Sequence, residues 1–323
     1  MSRRTAINAA LSIAGVALLI WQIRVVGGLD TVGDGLGRVG LGFIVILALA
    51  YVRFALRSYA WISLIPGDAP LGRATAATIS GDALGNLTPL GLAVSEPAKA
   101  VYLGSRIDST QAFAALTAEN FFYSVSVALY IVLGVVAMLA TFELPAPVRL
   151  AGIASLTLMG VILMGAAWIA WQRPTVLSAM LERFSTAGSR LNQLVGRVRD
   201  FEVRTYGSAG HEGARLGVLA ITEGVFHAVS FAESWLTLYL LTGTSRPVEA
   251  LILDSVNRVI NVVMKVVPMR VGVDEVSAEI VAKAIGLGAG IGTTAGLVRK
   301  VRMIVWAAIG LIVWWTRGRK PAR

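Results

Sequence analysis

Apolar residues run along this chain in six long blocks, and between them lie two stretches where glycine, proline and charge break the pattern. The blocks are Ala6 to Val26, Val39 to Ile65, Ala112 to Ala140, Leu150 to Trp171, Leu216 to Leu241 and Ile291 to Trp315. Each holds roughly 20 residues or more, enough for an α-helix rising 1.5 Å per residue to cross a hydrocarbon core of about 30 Å. Six membrane-spanning helices are therefore predicted. The first block follows a basic start, as in a secretory signal, but it is long and no small-residue cleavage site follows it, which predicts a retained helix. Gly27 to Arg38, carrying Asp30 and Asp34, reads as a glycine-rich loop. Arg57, toward the end of the second block, is expected to snorkel to the interface, and Arg53, a turn deeper, to face the interior.

The two broken stretches match each other. Shifting Thr75 to Lys99 by 179 positions lays it on Asp254 to Ala278, so that Pro89 and Glu96 fall on Pro268 and Glu275, and Val94 on Val273. Upstream, Thr75, Thr78, Asp82 and Asn86 meet Asp254, Asn257, Asn261 and Lys265. At intervals of three or four residues, each set forms one polar stripe on an otherwise apolar helix. Gly81, Gly85, Pro89, Gly91 and Pro97 leave helical pieces of roughly 12 residues, or about 18 Å, too short to cross alone. Broken helices are tolerated at membrane depth only beside protein or a water-filled cavity. Two re-entrant helical hairpins lining a polar cavity are expected.

Between the fourth and fifth spans, Gln172 to Arg215 is the one long polar segment and is rich in arginine. Leu177, Leu181, Phe184, Leu191, Leu194, Val198 and Phe201 recur in it at the spacing of an amphipathic helix on the membrane surface, the alternative being a plain connector. With a cytoplasmic N-terminus, six spans and two non-crossing hairpins put the basic start, this linker and Arg317, Arg319, Lys320 and Arg323 all on the cytoplasmic side. Three spans separate the hairpins, and three is odd. The hairpins then enter from opposite sides, forming an inverted-topology repeat of the kind found in alternating-access carriers. Residues 1–323 read as one transmembrane domain: a first repeat over about 39–140, the linker over about 172–215 and a second repeat over about 216–316.

Composition agrees with an all-α integral membrane protein: 56% of residues are hydrophobic and 15% charged, with a mean hydropathy of +0.71. The absence of cysteine excludes disulfides, thiolate metal sites and cysteine nucleophiles, and His211 and His227 are too few for a histidine-rich metal site. The net charge of +10 does not point to nucleic acid, because the basic residues flank apolar spans. There is no Walker loop, no HExxH and no GxSxG, and Gly286 to Gly290 lacks the strand that a dinucleotide fingerprint needs. Neither a cofactor nor an enzymatic activity is expected, and neither is ATP-driven pumping by this chain alone.

The second stretch carries Asp254, Asn257, Arg258, Asn261 and Lys265 on one stripe, a costly set to place against lipid and so expected to face inward. Arg270, Asp274, Glu275, Glu279 and Lys283 follow, and the last block adds Arg299, Lys300 and Arg302 about 24 residues past Glu275, much as Glu119 follows Glu96. Cations outnumber anions in this half, which suits a phosphate gripped by arginine, while Asp82, Glu96 and Glu119 are placed to pair with those cations or to hold a cationic headgroup. The i, i+4 pairs Asp254 with Arg258 and Glu279 with Lys283 also have a purely helix-stabilising reading. Glu223 and His227 share a face of the fifth span and are expected as a buried hydrogen-bonded pair, with a proton relay as the second reading.

The runs from Asn86 to Lys99 (NLTPLGLAVSEPAK) and from Pro268 to Glu275 (PMRVGVDE) resemble the flippase-like membrane family, the transmembrane region of lysylphosphatidylglycerol synthases. That region also occurs as free-standing proteins, some associated with hopanoid biosynthesis. The resemblance covers nearly the whole chain. It implies movement of a lipid with a polar or charged headgroup between leaflets of a bacterial cytoplasmic membrane. By position it assigns Asn86, Pro89, Glu96 and Lys99 to the first family motif and Pro268, Arg270, Gly272 and Glu275 to the second. Ser95 and Lys99 stand where the family usually has glycine and arginine, which sets this headgroup site apart, and with no stretch here reading as the soluble aminoacyl-transferring domain, synthesis of aminoacyl lipid by this chain is not expected.

The expected function is that of a lipid flippase or scramblase, with membrane lipids as partners and a homo-oligomer neither required nor opposed by the pattern. The expected binding set is Asp82, Asn86, Pro89, Glu96, Lys99, Glu119, Asn257, Arg258, Asn261, Lys265, Pro268, Arg270, Asp274, Glu275, Arg299 and Arg302. Two rivals come from other classes: a membrane enzyme acting on a lipid-linked substrate, with Glu96 or Glu275 as base, and a scaffold for a lipid-synthesis complex.

Overall fold

The computed structural model describes residues 28–65, 69–87, 91–103, 109–171, 212–264 and 272–318, together with Trp21 and Arg24. Among them every regular element is an α-helix: α1 (Gly28–Val39), α2 (Gly42–Ser63), α3 (Leu71–Leu87), α4 (Gly91–Leu103), α5 (Ser109–Thr141), α6 (Ala146–Trp171), α7 (Glu212–Thr242), α8 (Pro247–Val263), α9 (Val273–Ala284) and α10 (Ile291–Gly318). Most of the expected first span, the linker over 172–211 and the basic C-terminal residues after Gly318 lie outside the described residues.

Four of the helices are long and apolar enough to cross a membrane, over Gly42–Ser63, Gln111–Thr141, Ala146–Trp168 and Leu216–Thr242. These are the second to fifth predicted spans. The sixth forms as the 28-residue helix α10, but Arg299, Lys300 and Arg302 keep it from reading as purely apolar. On α6 the exposed side chains Leu150, Ile153, Leu158, Val161, Met164 and Trp168 make an apolar outer wall, the inverse of a surface that water would cover.

The glycine-rich loop expected over Gly27 to Arg38 is helical from Gly28 onward, where it forms the body of α1. Val32, Leu36 and Val39 recur at helical intervals, and Val39 packs with Ile46, Leu241 and Val298. That tertiary contact, joined by a 3.2 Å hydrogen bond from Arg38 Nη1 to the carbonyl of Leu241, outweighs the low helix propensity of glycine, about 1 kcal/mol per residue.

The broken stretches form two pairs of short helices, α3 with α4 and α8 with α9, and within each pair the helices pack on each other. At 17 residues, α3 and α8 are longer than expected, yet at about 26 Å each still falls short of a full crossing. The packing is the same in the two halves when α2, α3, α4 and α5 are exchanged for α7, α8, α9 and α10. Thus α4 packs on α5 as α9 does on α10, and α2 on α3 as α7 on α8. The halves are also crossed. Helix α3 lies against α10, and α8 against α5. Both crossings are made at a glycine of the long helix: a Cβ on Gly310 would sit 2.5 Å from the carbonyl oxygen of Ile79, and one on Gly134 would collide with Ser255. Only hydrogen fits there.

Candidate functional site

Two cavities lie where the halves cross. The larger, about 470 Å3, is lined by Arg53 of α2, Arg258 of α8 and Arg299, Lys300 and Arg302 of α10, with Asp254 and Asp274 as its carboxylates. Five cations thus face two anions. Asn257 and Asn261, one helical turn apart on α8, complete its polar wall, and their buried Oδ1 atoms have no hydrogen-bond partner among the described residues. Tyr123, Ser124, Val127 and Met159 supply the less charged side.

The cations differ in how firmly they are held. Arg258 donates to Asp254 at 3.3 Å, and the same carboxylate accepts Ser230 Oγ at 3.0 Å. Lys300 bonds Asp274 at 2.9 Å and lies 3.7 Å from Glu275. Arg53 and Arg302 share Glu233 of α7, Arg53 at 3.0 Å and Arg302 through a direct ion pair. Arg299 has no salt bridge among the described residues. With four other cations beside it, the planar Arg299 guanidinium is placed to grip two oxygens of a tetrahedral oxyanion such as a phosphate.

The smaller cavity, about 250 Å3, is lined from the first half by Asp82 and Asn86 of α3 with Phe54, Arg57 and Ile79, and from the second by Phe226 of α7 and Trp306 of α10. Arg53, Tyr123, Arg302 and Met303 line both cavities and form the partition between them. The 179-residue shift lays Tyr123 on Arg302 and Ser124 on Met303. The partition therefore contains one pair of repeat-equivalent positions, Tyr123 and Arg302, while Ser124, the equivalent of Met303, lines the larger cavity only.

Behind the smaller cavity the charges close on one another. Lys99, 3% exposed, bonds Asp82 at 2.7 Å and Glu96 at 3.0 Å. Asn120 donates to Glu96 at 2.9 Å and accepts from Arg57 at 3.0 Å. Arg57 in turn grips Glu119 with two bonds, of 2.9 and 2.8 Å, and covers the ring of Tyr123 at 3.7 Å. Arg57 therefore does not snorkel to the interface: Glu119, 62 positions away and 1% exposed, holds it inside, since a buried carboxylate needs a cation more than the interface does.

Of the expected binding set, Asn257, Arg258, Asn261, Asp274, Arg299 and Arg302 line the larger cavity, and Asp82, Asn86 and again Arg302 the smaller. Glu96, Lys99 and Glu119 form the network behind the smaller cavity. Glu275 stands behind Lys300 and accepts the backbone N–H of Gly272 at 2.8 Å; Gly272 opens α9 at φ +81°, a conformation natural to glycine. Pro89, Lys265, Pro268 and Arg270 lie outside the described residues. Glu279 lies 3.5 Å from Lys283, but its carboxylate chiefly caps α10, accepting the N–H groups of Gly290 and Thr293 at 2.8 and 2.9 Å. Glu223 and His227 are not bonded to each other; each bonds Ser126 of α5, at 3.0 Å. Glu233 and Tyr123 were not found from the sequence. A glutamate deep in the apolar second half of α7 is the signal for Glu233, because such a charge demands a buried partner.

Comparison with known proteins agrees with this picture at the level of family. The family described as Lysylphosphatidylglycerol synthase TM region matches residues 7–317. No curated protein and no solved structure matches the chain.

Proposed function

Because the chain belongs to the family of lysylphosphatidylglycerol synthase transmembrane regions, and so is a membrane protein of a lipid-handling family, we propose that it moves a phosphate-bearing lipid between the two leaflets of a bacterial cytoplasmic membrane. The headgroup enters the cation-rich cavity while the acyl chains stay in the bilayer. The observation that carries this reading is Arg299, a guanidinium without a salt bridge among the described residues, in a cavity whose cations outnumber its carboxylates five to two.

The contact symmetry supports the inverted-repeat form of the reading. Hairpins entering from opposite faces, with both termini cytoplasmic, make each small cavity wall the counterpart of the other, as alternating access requires. In this reading the Glu233 clamp on Arg53 and Arg302 holds the partition between the cavities.

The enzymatic alternative is less well supported. Glu96 is held by Lys99 and Asn120, and Glu275 caps α9 through Oε2 with Oε1 3.7 Å from Lys300, so both carboxylates already serve as partners of the protein's own groups. The test is leaflet-resolved movement of fluorescent lipids in liposomes containing the purified protein, with anionic, zwitterionic and neutral headgroups compared. Wild type is expected to move the anionic class, and Arg299→Gln to slow it about tenfold or more, the worth of one charge-assisted hydrogen-bond pair. Equal movement of a neutral lipid, or no loss in the variant, would sink the phosphate reading.

A further inference from the structure

Ser126 carries one hydroxyl proton but has two acceptors within reach, the carbonyl oxygen of Tyr123 at 2.9 Å and Glu223 Oε2 at 3.0 Å. Its oxygen also lies 3.0 Å from His227 Nε2. These three distances define two complete hydrogen-bond arrangements. With Glu223 ionised, Ser126 donates to the carboxylate and accepts from His227 Nε2–H. With Glu223 protonated, the carboxyl donates to Ser126, which turns its own proton to the Tyr123 carbonyl and still accepts from His227. In both, Nε2 carries the imidazole proton, and Nδ1 is the ring atom with no partner among the described residues. The pocket therefore accommodates a proton on Glu223 without moving a heavy atom. Glu223 and His227 are 5% and 8% exposed, so either charge state is sheltered from water.

This cluster abuts the cavity. Tyr123, whose carbonyl is the alternative acceptor, lines both cavities. His227 stacks on Tyr130 at 4.7 Å, and Arg258 sits over the same Tyr130 ring at 4.6 Å. Around the cluster, α2 contributes Arg53 and Arg57, α5 contributes Glu119 with Tyr123 and Tyr130, and α8 contributes Asp254 and Arg258. The neighbouring charges of α10 and α1 meet α7 farther along, at Glu233 and at the Leu241 carbonyl. Three guanidinium groups against two carboxylates oppose a further positive charge. An anionic headgroup bound in the larger cavity, beside Arg53 and Arg258, offsets that excess and favours a proton on Glu223. By linkage, the proton strengthens headgroup binding equally.

From this geometry we infer that Glu223, with Ser126 and His227 as its partners, is a proton-binding site coupled to occupancy of the cavity, so that an anionic headgroup crosses together with a proton. The inference rests on the carrier reading above and adds its driving force.

Proton uptake tests it directly. Short-chain phosphatidylglycerol is added to the detergent-solubilised protein in weakly buffered solution near neutral pH with an indicator dye. Wild type is expected to take up protons on binding, up to about one per headgroup. Glu223→Gln binds equally well and takes up none, and Ser126→Ala, which keeps the carboxylate but removes its switchable partner, takes up less. In liposomes, a pH difference of about one unit biases the leaflet ratio of labelled phosphatidylglycerol by up to about tenfold in wild type, and Glu223→Gln relaxes it to even. Elution as a single monodisperse species establishes that each variant is folded. Binding and lipid movement without proton uptake, or uptake unchanged in Glu223→Gln, overturn the coupling and leave the carrier. A folded wild type that neither binds nor moves the lipid overturns the carrier reading, and the coupling with it.

Discussion

The two short-helix pairs, α3 with α4 and α8 with α9, make matching contacts with their neighbours and carry opposite chemistry. In the first, Asp82, Glu96, Lys99, Asn120, Arg57 and Glu119 bond one another in an unbroken chain. In the second half Asp254 pairs with Arg258 and Asp274 with Lys300, and Arg299 faces the cavity with no salt bridge among the described residues. Duplicated architecture thus does not mean duplicated duty. One pair stands in a frame whose charges are mutually satisfied, and the other leaves Arg299 facing the cavity with no salt bridge among the described residues.

Three substitutions would break or sharpen that contrast. The largest effect is expected at Glu119→Gln, which leaves Arg57 buried without its carboxylate and costs about 3–5 kcal/mol of stability. A lowered unfolding midpoint in detergent, with headgroup affinity retained in the folded fraction, would confirm the first half as a frame. Next comes Arg299→Gln, with roughly a 10- to 100-fold loss of affinity for a short-chain anionic lipid by calorimetry and an unchanged midpoint. If these two outcomes were exchanged, the contrast would be wrong. The smallest effect belongs to Glu279→Gln. Loss of the α10 cap costs about 1 kcal/mol and leaves affinity unaltered, which separates structural acids of the second half from those at its cavity.

Periodic features were legible in the sequence. The 179-residue shift anticipated both helix pairs, and the helical spacing of Asn257, Arg258 and Asn261 anticipated the cavity wall they form. What depended on distant partners was not legible. Arg57 sits at the end of an apolar block and looks like an interface residue until Glu119 is brought beside it; Glu233 meets Arg53 across 180 positions. The glycines of α1 suppressed its helical signal because the compensation comes from packing on α7 and α10. Ser126 carried no signal at all, since a serine in an apolar helix ordinarily bonds only its own backbone.

The crossed packing of α3 on α10 and of α5 on α8 also governs how the protein is made. At about 5–20 residues per second, the roughly 200 residues between the end of α3 and the start of α10 take on the order of 10–40 s to synthesise. Through that interval the face of α3 that will receive Gly310 lacks its partner, and the face of α5 that carries Gly134 waits for α8 through the roughly 105 residues between them, on the order of 5–20 s. Neither half is a finished unit that later docks. Each crossing closes only after the ribosome has delivered a helix of the second half, so a membrane chaperone would find its task in the nascent first half.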